Sequence, residues 1–118
     1  MGYRSEIVIG LTNKLFLQEK LKGTLPDLLG DPTERNGAMY WRFSGYKWYD
    51  SYDEIRTVDN WVQDMIAEAD EHNAGKFEGP GQFIGFIRVG EEHADIDELG
   101  EPWELEMYVD TYIECPAN

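Results

Sequence analysis

The residues with the most chemistry in them crowd into one stretch. Between Glu91 and Glu106 stand Glu91, Glu92, Asp95, Asp97, Glu98, Glu101, Glu104 and Glu106, with His93 among them and no Lys or Arg. Carboxylates at alternating positions can ligate calcium, and His beside carboxylates can hold a transition metal. The calcium-loop pattern needs a central Gly and a terminal Glu at fixed spacing, and that pattern is missing here. With two His and one Cys in the chain, the usual Cys/His zinc sites and an intrachain disulfide are excluded. Paired carboxylates could serve glycoside hydrolysis, but nothing local singles out one pair or raises one pKa. Ser5 and Ser51 lack the Gly-flanked nucleophile elbow, and Cys115 reads as a small apolar residue at a strand end. The glycines from Gly75 to Gly90 lack the Lys-Ser/Thr of a phosphate loop. The residues therefore predict no metal, no cofactor and no catalytic centre.

Charge is the stronger signal. Of 118 residues, 24 are acidic and 10 are Lys or Arg, for a net charge of −14. The first 49 residues carry seven bases against five acids, whereas residues 50–118 carry 19 acids against Arg56, Lys76 and Arg88. Such a balance disfavours nucleic acid and anionic membrane as direct partners. Solvated acids confer solubility, but closely spaced carboxylates on a rigid scaffold can also compete for the basic groove of another protein. Asp64, Glu68 and Glu71 on a predicted helix would extend the acidic surface of Glu91, Glu92, Asp95, Asp97, Glu98 and Glu101.

A second cluster is aromatic. From Tyr40 to Tyr52 the chain holds Tyr40, Trp41, Tyr46, Trp48, Tyr49 and Tyr52, interleaved with Arg42 and Lys47. Trp41 and Trp48 are expected in the core, while Lys47, Tyr49 and Tyr52 suit a protein interface, because Tyr buries much area and keeps a polar handle.

These residues need a scaffold, and 42% hydrophobic and 14% aromatic residues are enough to build one. Tyr3, Ser5, Ile7, Ile9 and Leu11 alternate on one face of an opening strand, with Arg4, Glu6, Val8 and Gly10 on the other. Thr12 or Asn13 can start a helix from Lys14 to Lys22 that Gly23 ends, with a further turn at Pro26–Leu29 and a loop from Gly30 to Gly37. Ala38 to Tyr49 reads as one bent strand. Ser51 and Glu54 suggest a capping box for the main helix, whose stripe Ile55, Val58, Val62, Met65, Ile66 and Ala69 runs to about His72. Phe83–Val89 suits a buried strand, Glu91–Pro102 an acidic connection, and Trp103–Cys115 a final alternating strand. The expected fold is α+β in one domain spanning 1–118. Its order is β-α-β-α-β-β, with a four-stranded antiparallel or mixed sheet carrying two helices on one face. No apolar run reaches the roughly 20 residues of a membrane span, and Glu6 breaks the myristoylation pattern after Gly2, so a cytoplasmic location is expected.

The segments GYRSEIVIGL, KWYDSYDEI and FIRVGEEHADIDE resemble a group of small proteins encoded by tailed bacteriophages and prophages. The matching positions are Tyr3–Glu6, Lys47–Tyr49 and Arg88–Glu91. The resemblance implies an accessory protein acting in a bacterial host and carries no catalytic residue over. Together with the charge it leads to one expected function: binding, and inhibiting, a host protein with a basic surface, such as a DNA-binding defence or replication factor. The alternatives are a small homo-oligomeric assembly protein of the phage and, third, an enzyme or metal-binding protein.

Overall fold

The computed structural model describes residues 3–49, 51–76, 81–92, 95–109 and 113–117. Along the chain run β1 (Ser5–Thr12), α1 (Asn13–Lys22), β2 (Thr33–Arg35), β3 (Ala38–Tyr46), α2 (Asp53–Glu71), β4 (Ile84–Val89), β5 (Ile96–Gly100), β6 (Tyr108–Val109) and β7 (Ile113–Glu114). The first five strands form one antiparallel sheet in the order β2-β3-β1-β4-β5, and β6 pairs with β7. The α+β class and the two helices on one face agree with the pattern of apolar residues. The expected four strands and their order do not.

Three differences account for the correction. Thr33–Arg35, expected as loop, pairs with β3 through a tight hairpin in which Asn36 and Gly37 both have positive φ, 53° and 81°. Ile96–Gly100, expected as an acidic connection, adds to β4 as the sheet's last strand. Trp103–Cys115 is not one strand. Pro102–Leu105 forms a 3₁₀ turn, Glu106 takes a left-handed φ of 57°, and the Met107 amide donates to the Pro102 carbonyl at 3.0 Å. The alternation there is real, since Leu105, Met107, Ile113 and Cys115 are all buried, but a folded-back segment makes it, and Trp103 is 66% exposed.

Period-two burial in β1 divides the core between two faces. Ile7, Ile9 and Leu11 meet Trp41, Ile84 and Phe86 under the helices, where α1 contributes Leu15 and Phe16 and α2 contributes Ile55, Val58, Trp61, Val62, Met65 and Ala69. Trp41 and Trp61 pack with their rings nearly perpendicular, centroids 6.1 Å apart. On the opposite face Val8, Tyr40 and Ile87 are covered by Leu105, Met107, Ile113 and Cys115. Gly10 and Gly85, opposite each other in register, allow this close cover. A Cβ on Gly10 would stand 2.8 Å from Met107 Sδ, and one on Gly85 2.8 Å from the Pro102 Cα. The buried Tyr40 hydroxyl donates to the Leu105 carbonyl at 2.7 Å, and burial pushes the phenol up to about 12.

Local expectations fare unevenly. Gly23 ends α1 in the left-handed conformation, and Asp27–Leu29 is a 3₁₀ turn. The bend in β3 is a bulge around Ser44-Gly45, because Ile7 pairs with Phe43 while Ser5 pairs with Tyr46. The strand therefore stops at Tyr46 rather than reaching Tyr49. The Ser51–Glu54 capping box is not formed: Tyr52 is the N-cap of α2, without a side-chain cap bond.

Candidate functional site

The acidic stretch is organised by one cation. Arg88 lies in β4 directly across from Asp97 in β5. Its Nη2 donates to Asp95 Oδ1 at 2.7 Å, its Nε to Asp97 Oδ2 at 2.8 Å, and its Nη1 to Ser5 Oγ at 3.0 Å. The fork geometry of guanidinium suits two carboxylates at once. The Tyr3 hydroxyl donates to Asp95 Oδ2 at 2.7 Å and accepts from the Glu92 amide at 3.1 Å. Hydrogen bonds from Arg88 and then Tyr3 hold the Asp95 carboxyl below its ordinary value. The Asp95 bond, opposed by burial and reinforced by Asp97, holds Arg88 above its own. On Tyr3 the Glu92 amide pulls the phenol down, but burial and the Asp95 carboxylate outweigh it and leave it raised. Glu91 is also engaged, accepting from the Arg4 amide at 2.8 Å.

Beside this knot lies an open groove of about 1170 Å³ between α2 and β5. Trp48, Phe86 and Leu99 supply its apolar floor; Asn60 and Gln63 line it from α2, and Tyr49 from the segment before that helix. Its charged lining is Asp59, Asp95, Asp97 and Glu98 against Arg56 and Arg88, an acidic excess. Along the same side of α2 a smaller hollow of about 250 Å³ is lined by Asp70 and Glu101, with Ile66, Ala69 and Phe83. Both exist because α2 leans on β4 with its apolar stripe while β5, beyond β4, stays uncovered by any described helix.

The predicted residues thus separate into groups. Asp95 and Asp97 belong to the Arg88 knot; Glu91 and Glu92 are exposed at the turn beside it. Glu98 and Glu101 carry no cation among the described residues and border the groove and the hollow. Asp64 and Glu71 are exposed on α2, whereas Glu68 turns to the α1 side and pairs with Lys22 at 3.3 Å. Tyr49 lines the groove and Tyr52, 41% exposed, packs on it with ring centroids 5.4 Å apart. Lys47 does not line the groove. His93 lies outside the described residues.

One carboxylate escaped the sequence reading. Glu19 is only 3% exposed, between α1 and α2. It accepts from Thr24 Oγ1 at 2.7 Å and Trp61 Nε1 at 3.2 Å, and Lys22 stands 3.4 Å away. Its signal was its place in the helical period, four residues after the buried Leu15.

Among the described residues, no three His, Cys, Asp or Glu side chains converge as a metal-holding group, and no helix is long and apolar enough to cross a membrane. No protein family, curated protein or solved structure matches this chain.

Proposed function

We propose that this chain is a protein-binding domain that recognises a basic surface on another protein through the carboxylates bordering the α2–β5 side, and inhibits that partner by occupying its anion-binding surface. The observation that carries the reading is the contrast within the acidic run. Asp95 and Asp97 are satisfied by Arg88, whereas Glu98 and Glu101 have no counter-cation among the described residues and stand next to an open groove. Carboxylates in that position stay hydrated in the free protein; a partner that covers them strips that water at a cost, which a Lys or Arg brought in with it offsets through a charge-assisted hydrogen bond. Tyr49, half-buried on the groove beside the buried Trp48 and Phe86, offers the apolar contact that charge alone lacks. The likeness of its three motifs to phage and prophage proteins suggests a bacterial host factor that binds DNA as the partner class.

Capture from bacterial lysate tests this. The bound partner should be released between about 0.05 and 0.5 M salt, because screening shortens to a few Å over that range. Excess duplex DNA should compete with it. Capture indifferent to both salt and DNA would overturn the reading.

A further inference from the structure

The last strand of the sheet has an open side. At its two ends the Gly90 amide donates to the Asp95 carbonyl and the Glu101 amide to the Ile84 carbonyl, each at 2.8 Å. Antiparallel pairing alternates, so the amides and carbonyls of residues 95, 97, 99 and 101 face β4. Those of Ile96 and Glu98 then point away from the sheet, and among the described residues no strand pairs with them. The groove runs along this edge, with Asp97 and Leu99 directed to its helix side together with their neighbours Arg88 and Phe86.

We infer that β5 is the docking edge for an extended, Lys- or Arg-bearing segment of a partner protein, which adds to the sheet as a sixth strand. The inference rests on the protein-binding reading above and names the form of the ligand. Backbone bonds to Ile96 and Glu98 supply the register, and the groove takes alternate side chains of the incoming strand. Charge selects the occupant. A second copy pairing antiparallel about Glu98 would set two Glu98 carboxylates opposite each other, and like charges directly across a ladder are destabilising. A basic segment reverses the sign of that contact. Acids on an edge strand also keep it from pairing indiscriminately, which is how such an edge stays soluble until the right partner comes.

The test uses the full chain labelled with ¹⁵N and an end-blocked eight-residue peptide of alternating Lys and Val. A second peptide has the same sequence with alternate amides N-methylated, so that charge is kept and the ladder is blocked on one side. The expected result is saturable binding with exchange of the Ile96 and Glu98 amides slowed by at least about tenfold. Affinity for the N-methylated peptide should fall by a similar factor. Ile96→Pro, which deletes an outward amide rather than one used by β4 and keeps every carboxylate, should lose binding while keeping the rest of the amide spectrum. Equal affinity for the two peptides, with shifts still at Glu98 and Glu101, would overturn strand addition and leave the acidic recognition standing. Shifts confined to other parts of the chain would overturn both. Protection of Ile96 and Glu98 that rises with protein concentration and no peptide present would overturn the basic occupant in favour of self-pairing.

Discussion

Asp97 and Glu98 are neighbours in one strand and have opposite circumstances. Asp97 faces Arg88 across the ladder, with N–O distances of 2.7 and 2.8 Å, and shares that cation with Asp95. Glu98, one residue on, is exposed at the border of the groove and meets no cation among the described residues. The acidic run is therefore divided: its 95 and 97 positions tie β5 to β4 through Arg88, and its 98 and 101 positions meet no cation among the described residues. Glu19 is the extreme of the first kind, a carboxylate enclosed by its donors. A surplus of acid in a sequence is thus no measure of how much acid is available at the surface.

This division can be broken from the inside outwards. Trp61→Ala should have the largest effect, removing a core ring and the indole donor of Glu19 together, at a cost of about 3–5 kcal/mol in denaturant unfolding. Glu19→Ala should cost about 2–3 kcal/mol, since it leaves the Trp61 and Thr24 donors without their buried acceptor. Arg88→Met should come next, lowering the melting temperature by several degrees as Asp95 and Asp97 lose their common cation, with hydrogen exchange rising first along β5.

A finer test is pH. The folded state holds the Asp95 carboxyl below its ordinary value of about 3.9, so its contribution is complete above that pH and is lost as pH falls through the lowered folded value. The stability gap between the wild type and Asp95→Asn should be full at pH 6 and close progressively below about pH 4. A gap that persists unchanged at pH 2 would mean that Asp95 stabilises by shape and not by charge. The smallest effect belongs to Glu98→Gln with Glu101→Gln, which should leave stability within about 0.5 kcal/mol of wild type.

What could be seen in the sequence follows from how physical signals travel along a chain. The faces of β1 and the stripe of α2 were legible because burial there repeats with the period of the element, two in Ile7, Ile9 and Leu11, and 3.6 in Ile55, Val58 and Val62. β5 was hidden because IDELG is mostly charged or exposed, and its strand character comes from β4 lying beside it. The Trp103–Cys115 segment misled for the opposite reason: alternation of buried residues survives in a turn that folds back onto a sheet. Pro102, just before it, suits the first position of a helical turn and was the local warning. At the site, the number of acids was plain but their pairing was not. Arg88 and Asp97 are nine residues apart, a distance that means contact only once a turn returns the chain as the adjacent strand. A lone Arg in the apolar run FIGFIRV was the available hint, since a cation at a half-buried strand position needs carboxylates nearby.

Melting and partner capture, measured together on two double variants, bear most directly on the division of labour. Asp95→Asn/Asp97→Asn is expected to melt earlier and, below its transition, still to capture the partner. Glu98→Gln/Glu101→Gln is expected to melt like the wild type and to lose capture by at least about tenfold, roughly what two charge-assisted contacts supply. Undiminished capture by the second variant would contradict the account, whatever the first one does.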